Sequence, residues 1–180
     1  VIMSIMTEFV QQNNLVLRKI AQKVPIEDIS SAKIQKIIKE MKEALASQKD
    51  GVAIAAPQIG VALRIFVVSG LVLKHIDEKY QDIENDLVFI NPEISKLSRK
   101  KEVVEEGCLS VRWLYGKISR SSKATIKAYN EKEILFERGA SGLLAQVFQH
   151  ETDHLNGILF IDNAEDIHEI KPEENEKTTN

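Results

Sequence analysis

The stretch from Gly142 to Gly157 limits what this chain can fold into more than any other part of it. Leu143, Leu144, Val147, Phe148 and Leu155 spread around a helical wheel, and a helix that is apolar on most sides has to be buried. Gly139-Ala140-Ser141-Gly142 opens it and Asn156-Gly157 supplies a left-handed stop. The spacing thus predicts a helix over residues 142–156 with other elements wrapped around it.

That apolar helix carries Gln149-His150-Glu151-Thr152-Asp153-His154. Histidines four apart share one face, so both imidazoles can reach a single ion. Glu151 can exchange protons with a water on that ion without ligating it. Two histidines at this spacing can also just satisfy buried polar groups, but the intervening Glu and the apolar setting favour a metal. Asp153 either holds a ligand ring through its second N–H or caps local backbone.

Catalytic metal sites usually take three protein ligands. His75 falls in a polar stretch and His168 in an acidic one, so both read as solvated. Cys108 sits in Glu105-Glu106-Gly107-Cys108-Leu109-Ser110. A lone cysteine is more often a small buried hydrophobe, yet a two-histidine helix lacking a third ligand shifts the balance toward ligation. A thiolate with two imidazoles suits iron, zinc or nickel over magnesium or calcium. The single cysteine also precludes an intrachain disulfide.

A third segment is Gly51-Val52-Ala53-Ile54-Ala55-Ala56-Pro57-Gln58-Ile59-Gly60. Its small residues suit close backbone approach. Alone, it reads as a core strand with a solvent-pointing Gln58. It lacks the Gly-Lys-Ser/Thr of a phosphate loop and the glycine spacing of a dinucleotide fingerprint.

Elsewhere, Ile34, Ile37, Ile38, Met41 and Leu45 recur at helical spacing, predicting an amphipathic helix over residues 26–50. Residues 63–68, 87–90, 123–129 and 133–138 read as strands, with a hairpin turn at Asn130-Glu131-Lys132. Asn91-Pro92 should end the strand before it, and residues 69–86 should form a surface excursion. The fold class expected is α+β, with short antiparallel strands packed around the buried metal-binding helix and the N-terminal amphipathic helix outside. With 180 residues, one domain is expected over 1–162, followed by an acidic polar tail over 163–180. From Asp162 onward seven Asp/Glu face two Lys. The net charge of −3 gives no global basic excess, so neither DNA nor a membrane surface is an expected partner. The apolar opening, Val1 to Met6, is too short for a signal core and no apolar run matches a transmembrane helix. A cytoplasmic location is expected.

Taken together, residues 51–58, 106–110 and 149–154 resemble the three signatures of the peptide deformylase family: a Gly-x-Gly-φ-Ala-Ala-x-Gln run (φ apolar), Glu-Gly-Cys-Leu-Ser and Gln-His-Glu-x-Asp-His. The resemblance extends over roughly residues 15–162. It implies removal of the N-formyl group from formyl-methionyl ends of new bacterial or organellar polypeptides, by a metal-generated hydroxide, with release of formate. It also implies Cys108, His150 and His154 as ligands of one divalent metal, Fe(II) natively and Zn(II) or Ni(II) in purified forms. Glu151 becomes the general base and acid, and Gln58 with the Leu109 N–H the donors to the formyl oxygen. Val52, Ala53 and Gly107 would bind extended peptide backbone, while Leu143, Val147 and Glu106 would border the pocket for the first side chain. Two departures stand out: Ala53 replaces the second glycine, and Arg112 replaces a proline. The partners implied are nascent formyl-Met polypeptides near the ribosome, although an acidic tail does not suit direct docking on RNA. A zinc endopeptidase or a non-catalytic binder of formylated ends are the competing readings. The first would need a ligand downstream of His154, and Glu151 and Gln58 argue against the second.

Overall fold

A computed structural model describes residues 8–76, 78–81 and 85–171. The opening apolar segment and the last nine residues of the acidic tail lie outside them. The described residues form two antiparallel sheets and three α-helices. One sheet has the order β1-β2-β3-β6-β7, from Ala53–Ala55, Ile65–Val68, Leu87–Leu97, Lys123–Tyr129 and Leu135–Ser141. The other has the order β4-β5-β8, from Lys101–Gly107, Leu114–Ser121 and Glu165–Glu169.

The five-stranded sheet is buried on both faces near β2. Its Ile65-Phe66-Val67-Val68 run is buried at every position, and successive side chains point to opposite faces. Phe66 and Val68 join Phe89, Ile126, Leu144, Val147 and Phe148 in one cluster. Ile65 and Val67 join Ile34, Ile38, Met41 and Leu45 in another. The sheet is therefore a layer between α3 (Leu143–Leu155) and α1 (Ala32–Ala46). Phe66 and Phe89, paired across β2 and β3, stack with centroids 4.5 Å apart. Phe148 of α3 meets Phe89 edge-on at 5.2 Å. Such pairs add stability beyond their buried area, and here they hold α3 against the sheet.

Several expectations need correction. The first helix is shorter than residues 26–50. Ser31 caps it by accepting from the Ile34 N–H at 3.3 Å, and residues 26–28 form a separate turn led by Pro25. Strand β3 does not stop at Asn91-Pro92 but runs on to Leu97. A register shift between Ile90 and Glu93 absorbs the missing proline donor. Asn91, at φ 52°, turns its amide to Val24, donating to its carbonyl at 2.7 Å and accepting from its N–H at 2.8 Å. The 69–86 stretch is not purely superficial: α2 (Gly70–Ile76) and a turn at Glu78–Tyr80 sink Leu73 and Tyr80 into the core. The segment after Asp162, expected as an acidic polar tail, stays exposed but adds β8 to the edge of β5. All five β8 residues are exposed, so backbone pairing, not burial, holds it.

Candidate metal centre

Helix α3 runs between the two sheets and is fixed at its C-terminal end and at its middle. Its C-terminal stop is Gly157 at φ 77°, where a Cβ would also lie 2.8 Å from the Arg18 carbonyl oxygen of the crossing N-terminal segment. Halfway along, Gln149 acts as a substitute peptide unit. Its side chain accepts from the Ser121 N–H at 2.9 Å and donates to the Ser121 and Ala145 carbonyls at 3.0 and 2.8 Å. The residue preceding His150 thereby locks the helix to the end of β5.

This docking brings Cys108, just past β4, against the histidine face of α3. One ligand atom each from Cys108, His150 and His154 lie within 4.8 Å of one another. The Cys108 Sγ and His154 Nε2 are 3.1 Å apart, near the edge of roughly 3.5 Å that tetrahedral sulfur and nitrogen ligands around one ion would have. The donor set, its burial and its spacing fit a divalent transition metal. His154 is 1% exposed, and its Nδ1 has no hydrogen-bond partner among the described residues.

His150 has a firm outer support. Its Nδ1 lies 2.8 Å from the Glu106 Oε2. Glu106 in turn receives a two-pronged contact from Arg120, at 2.8 Å from Nε and 3.0 Å from Nη2. A third Arg120 nitrogen reaches Asp153 at 2.6 Å. This chain of charges fixes the ring that faces the ion. Asp153 thus meets Arg120 and neither histidine. Burial raises the Glu106 carboxyl, but the His150 and Arg120 contacts outweigh it and hold its pKa down to about 2. For His150, burial disfavours the cation, yet contacts with Cys108 and Glu106 hold its pKa well above the usual imidazole range. His154 is driven well below that range by burial and by the charge of His150.

Glu151 faces the same space. Burial pushes its pKa up to about 7, opposed by His150 and assisted by the Glu106 and Asp153 carboxylates. Its Oε2 is buried without a hydrogen-bond partner among the described residues. A buried, unpaired carboxylate oxygen beside one sulfur and two nitrogen ligands suits a site completed by a cation and water.

Gln58 is not solvent-pointing. It is 2% exposed, in the turn Ala56–Ile59 after β1. Its Oε1 accepts from the Ala55 N–H at 2.8 Å, which fixes the amide so that Nε2 points to the Cys108 Sγ at 3.4 Å and the Ser110 Oγ at 3.3 Å. These groups open into a cavity of about 260 Å³. Val52, Ala53, Gln58, Glu106, Gly107, Cys108, Leu109, Leu143, Val147, His150 and Glu151 all line it, so every site residue picked from sequence is at the cavity except His154, which lies behind it. Among the described residues β1 and β4 are end strands of their sheets, and residues of both line the cavity. Gly107 lies beneath a cross-strand ring: a Cβ there would stand 2.6 Å from the Tyr115 Cε1. His75 and His168 take no part in the ligand cluster; both are exposed, His75 bonded within its own helix and His168 set beside Glu105 and Tyr115. Sequence reasoning missed Arg120 and gave Ser110 and Gln149 no role in the site's frame, although these two fall within the runs 106–110 and 149–154.

Comparison with known proteins agrees with this geometry. The family model described as polypeptide deformylase matches residues 6–169. The peptide deformylase of Dehalococcoides mccartyi is 39% identical over 162 residues, 88% of each chain. The crystal structure of peptide deformylase from Thermotoga maritima superposes with a TM-score of 0.76 at 35% identity, covering 89% of this chain and 98% of that one. A Met-Ala-Ser-bound peptide deformylase from Acinetobacter baumannii gives 0.77 at 30% identity, covering 89% and 99%. With a match across nearly all of its length, a shared fold and the Cys108, His150 and His154 cluster at one cavity, the chain belongs to the polypeptide deformylase family.

Proposed function

We propose that this chain removes the formyl group from the N-terminal formyl-methionine of new polypeptides, using Cys108, His150 and His154 to hold one Fe(II) ion. The observation carrying this reading is the convergence of those three ligand atoms within 4.8 Å beside the buried Glu151. The metal would supply a Lewis acid and an ionised water at neutral pH. Zn(II) or Ni(II) would fit the same donor set in purified protein.

The chain's own groups do the rest. Glu151, with a pKa near 7 before any cation draws it down, takes a proton from the attacking water and delivers it to the departing amine. The Gln58 Nε2, aimed by the Ala55 N–H, and the Leu109 N–H receive the negative charge that grows on the formyl oxygen. Leu143, Val147 and Glu106 border the side-chain pocket. Val52, Ala53 and Gly107 pair with the peptide backbone, which enters extended between the end strands β1 and β4. The Met-Ala-Ser held by the Acinetobacter protein supports a linear peptide as ligand. Formate and a free N-terminus leave.

The bacterial relatives support action on nascent chains in the cytoplasm. None of the helices is long and apolar enough to cross a membrane among the described residues. The net charge of −3 supports neither docking on the ribosome through a basic tail nor DNA as a partner. The test is formate release from formyl-Met-Ala-Ser beside acetate release from acetyl-Met-Ala-Ser. Release from the first and far less from the second is expected; no release by metal-loaded, folded protein would overturn the assignment in favour of a formyl-peptide binder.

A further inference from the structure

The mouth of the cavity carries a feature that deformylation itself does not require. Residues 111–114 form a turn closed by the Leu114 N–H to the Val111 carbonyl at 3.2 Å. Its third residue, Trp113, has φ 59°, a left-handed conformation that a bulky L residue rarely adopts and that favours glycine or asparagine. The Trp113 carbonyl is held in place by the Ile170 N–H at 2.9 Å. Arg112 lies over the indole, its Cζ 5.0 Å from the ring centroid. The same guanidinium grips Asp50 at 2.8 Å and Gln48 at 2.6 Å, tying the turn to the segment that leads into β1. Arg112, Trp113 and Asp50 all line the cavity.

Strain at a cavity mouth, maintained by a ring of polar contacts, marks a side chain held in place for contact. Because Asp50 and Gln48 already occupy the Arg112 fork, its charge is answered within the protein. The surface left for a ligand is the indole, rigid and apolar. We propose that Trp113 is a specificity-determining wall that selects peptides with an aromatic or large apolar residue in one of the two positions after the formyl-methionine, and that Arg112 is its positioning residue. This rests on the deformylase reading of the cavity.

The test compares kcat/KM for formyl-Met-Phe-Ser, formyl-Met-Ser-Phe and formyl-Met-Ser-Ser in the metal-loaded chain and in Trp113→Gly. Glycine suits the turn's backbone, so the variant should fold. A preference for one phenylalanine peptide that falls about three- to tenfold in the variant, through KM, is expected. Arg112→Gln should lower the same preference in part. Equal preference in chain and variant would overturn the proposal. Trp113 is the sole tryptophan, so its fluorescence gives an independent reading: titration with Met-Phe-Ser should shift it, and no shift at saturation would count against the wall. Failure to release formate from any peptide would instead strike the deformylase reading, with the Met-Phe-Ser titration still deciding whether peptides contact Trp113.

Discussion

Replacing Arg120 with methionine should damage this protein more than removing any exposed ion pair. The Arg120 side chain is 10% exposed and that of Glu106 2%, so water cannot take over when the guanidinium is lost. Removing one partner of a buried pair typically costs about 3–5 kcal/mol. The carboxyl itself gives a similar figure. Glu106 is held at about 2 against an ordinary 4.5, which corresponds to roughly 3 kcal/mol of folding stability at neutral pH, shared between Arg120 and His150. For a chain of this length the melting temperature should fall by about 6–20 °C. The sign with pH follows from the lowered carboxyl. Its contribution is complete above about 4.5 and is lost as pH falls toward 2. In the variant burial raises the Glu106 carboxyl unopposed by Arg120, so the gap between the two proteins should narrow as pH falls through the carboxylate range. Urea unfolding of metal-free protein, followed by circular dichroism from pH 7 to pH 4, measures this. A loss under about 1 kcal/mol at pH 7, the size of an exposed pair, or a gap that stays constant with pH, would refute the reasoning.

Gln58→Leu should lower kcat about 10²–10³-fold with little change in KM, read from formate release, because its amide acts on developing charge; a change confined to KM would contradict that role. Cys108→Ser should weaken metal retention during dialysis against a chelator, whereas an endopeptidase-type site with its third ligand downstream of His154 would keep its metal. Gly107→Ala should drive the Tyr115 ring away from its cross-strand position, since the new Cβ would sit 2.6 Å from it. Its KM for formyl-Met-Ala-Ser should rise, and the combined Gly107→Ala, Tyr115→Ala protein should recover part of the loss.

What could be read from the sequence was whatever depends on local pattern. The apolar wheel of residues 143–155 and the four-residue spacing of His150 and His154 describe a single helix, and one helix is enough to express them. The Lys123–Tyr129 alternation and the following hairpin are equally local, and β6 and β7 do pair over their full length. Features joining distant segments stayed hidden. Pro92 remains within a strand because the Asn91 amide bridges to Val24, 67 residues away. Strand β8 has no apolar alternation to announce it, for all five of its residues are exposed and it is held by backbone pairing and surface contacts such as Lys117 to Asp166. Glu106 was read as a border of the side-chain pocket. It does line the cavity, but its carboxylate is turned beneath His150. Arg120 was passed over because its role exists only once the β4–β5 register and α3 bring Glu106 and Asp153 to it.

The account stands on Glu151 moving protons beside a metal that it does not hold. The most direct measurement is metal content and formate turnover determined together, on anaerobically Fe(II)-loaded protein and on Glu151→Ala loaded in the same way. The account predicts about one metal per chain in both, with turnover of formyl-Met-Ala-Ser reduced about 10²–10⁴-fold in the variant. Undiminished turnover in Glu151→Ala would contradict it, as would loss of the metal along with the activity.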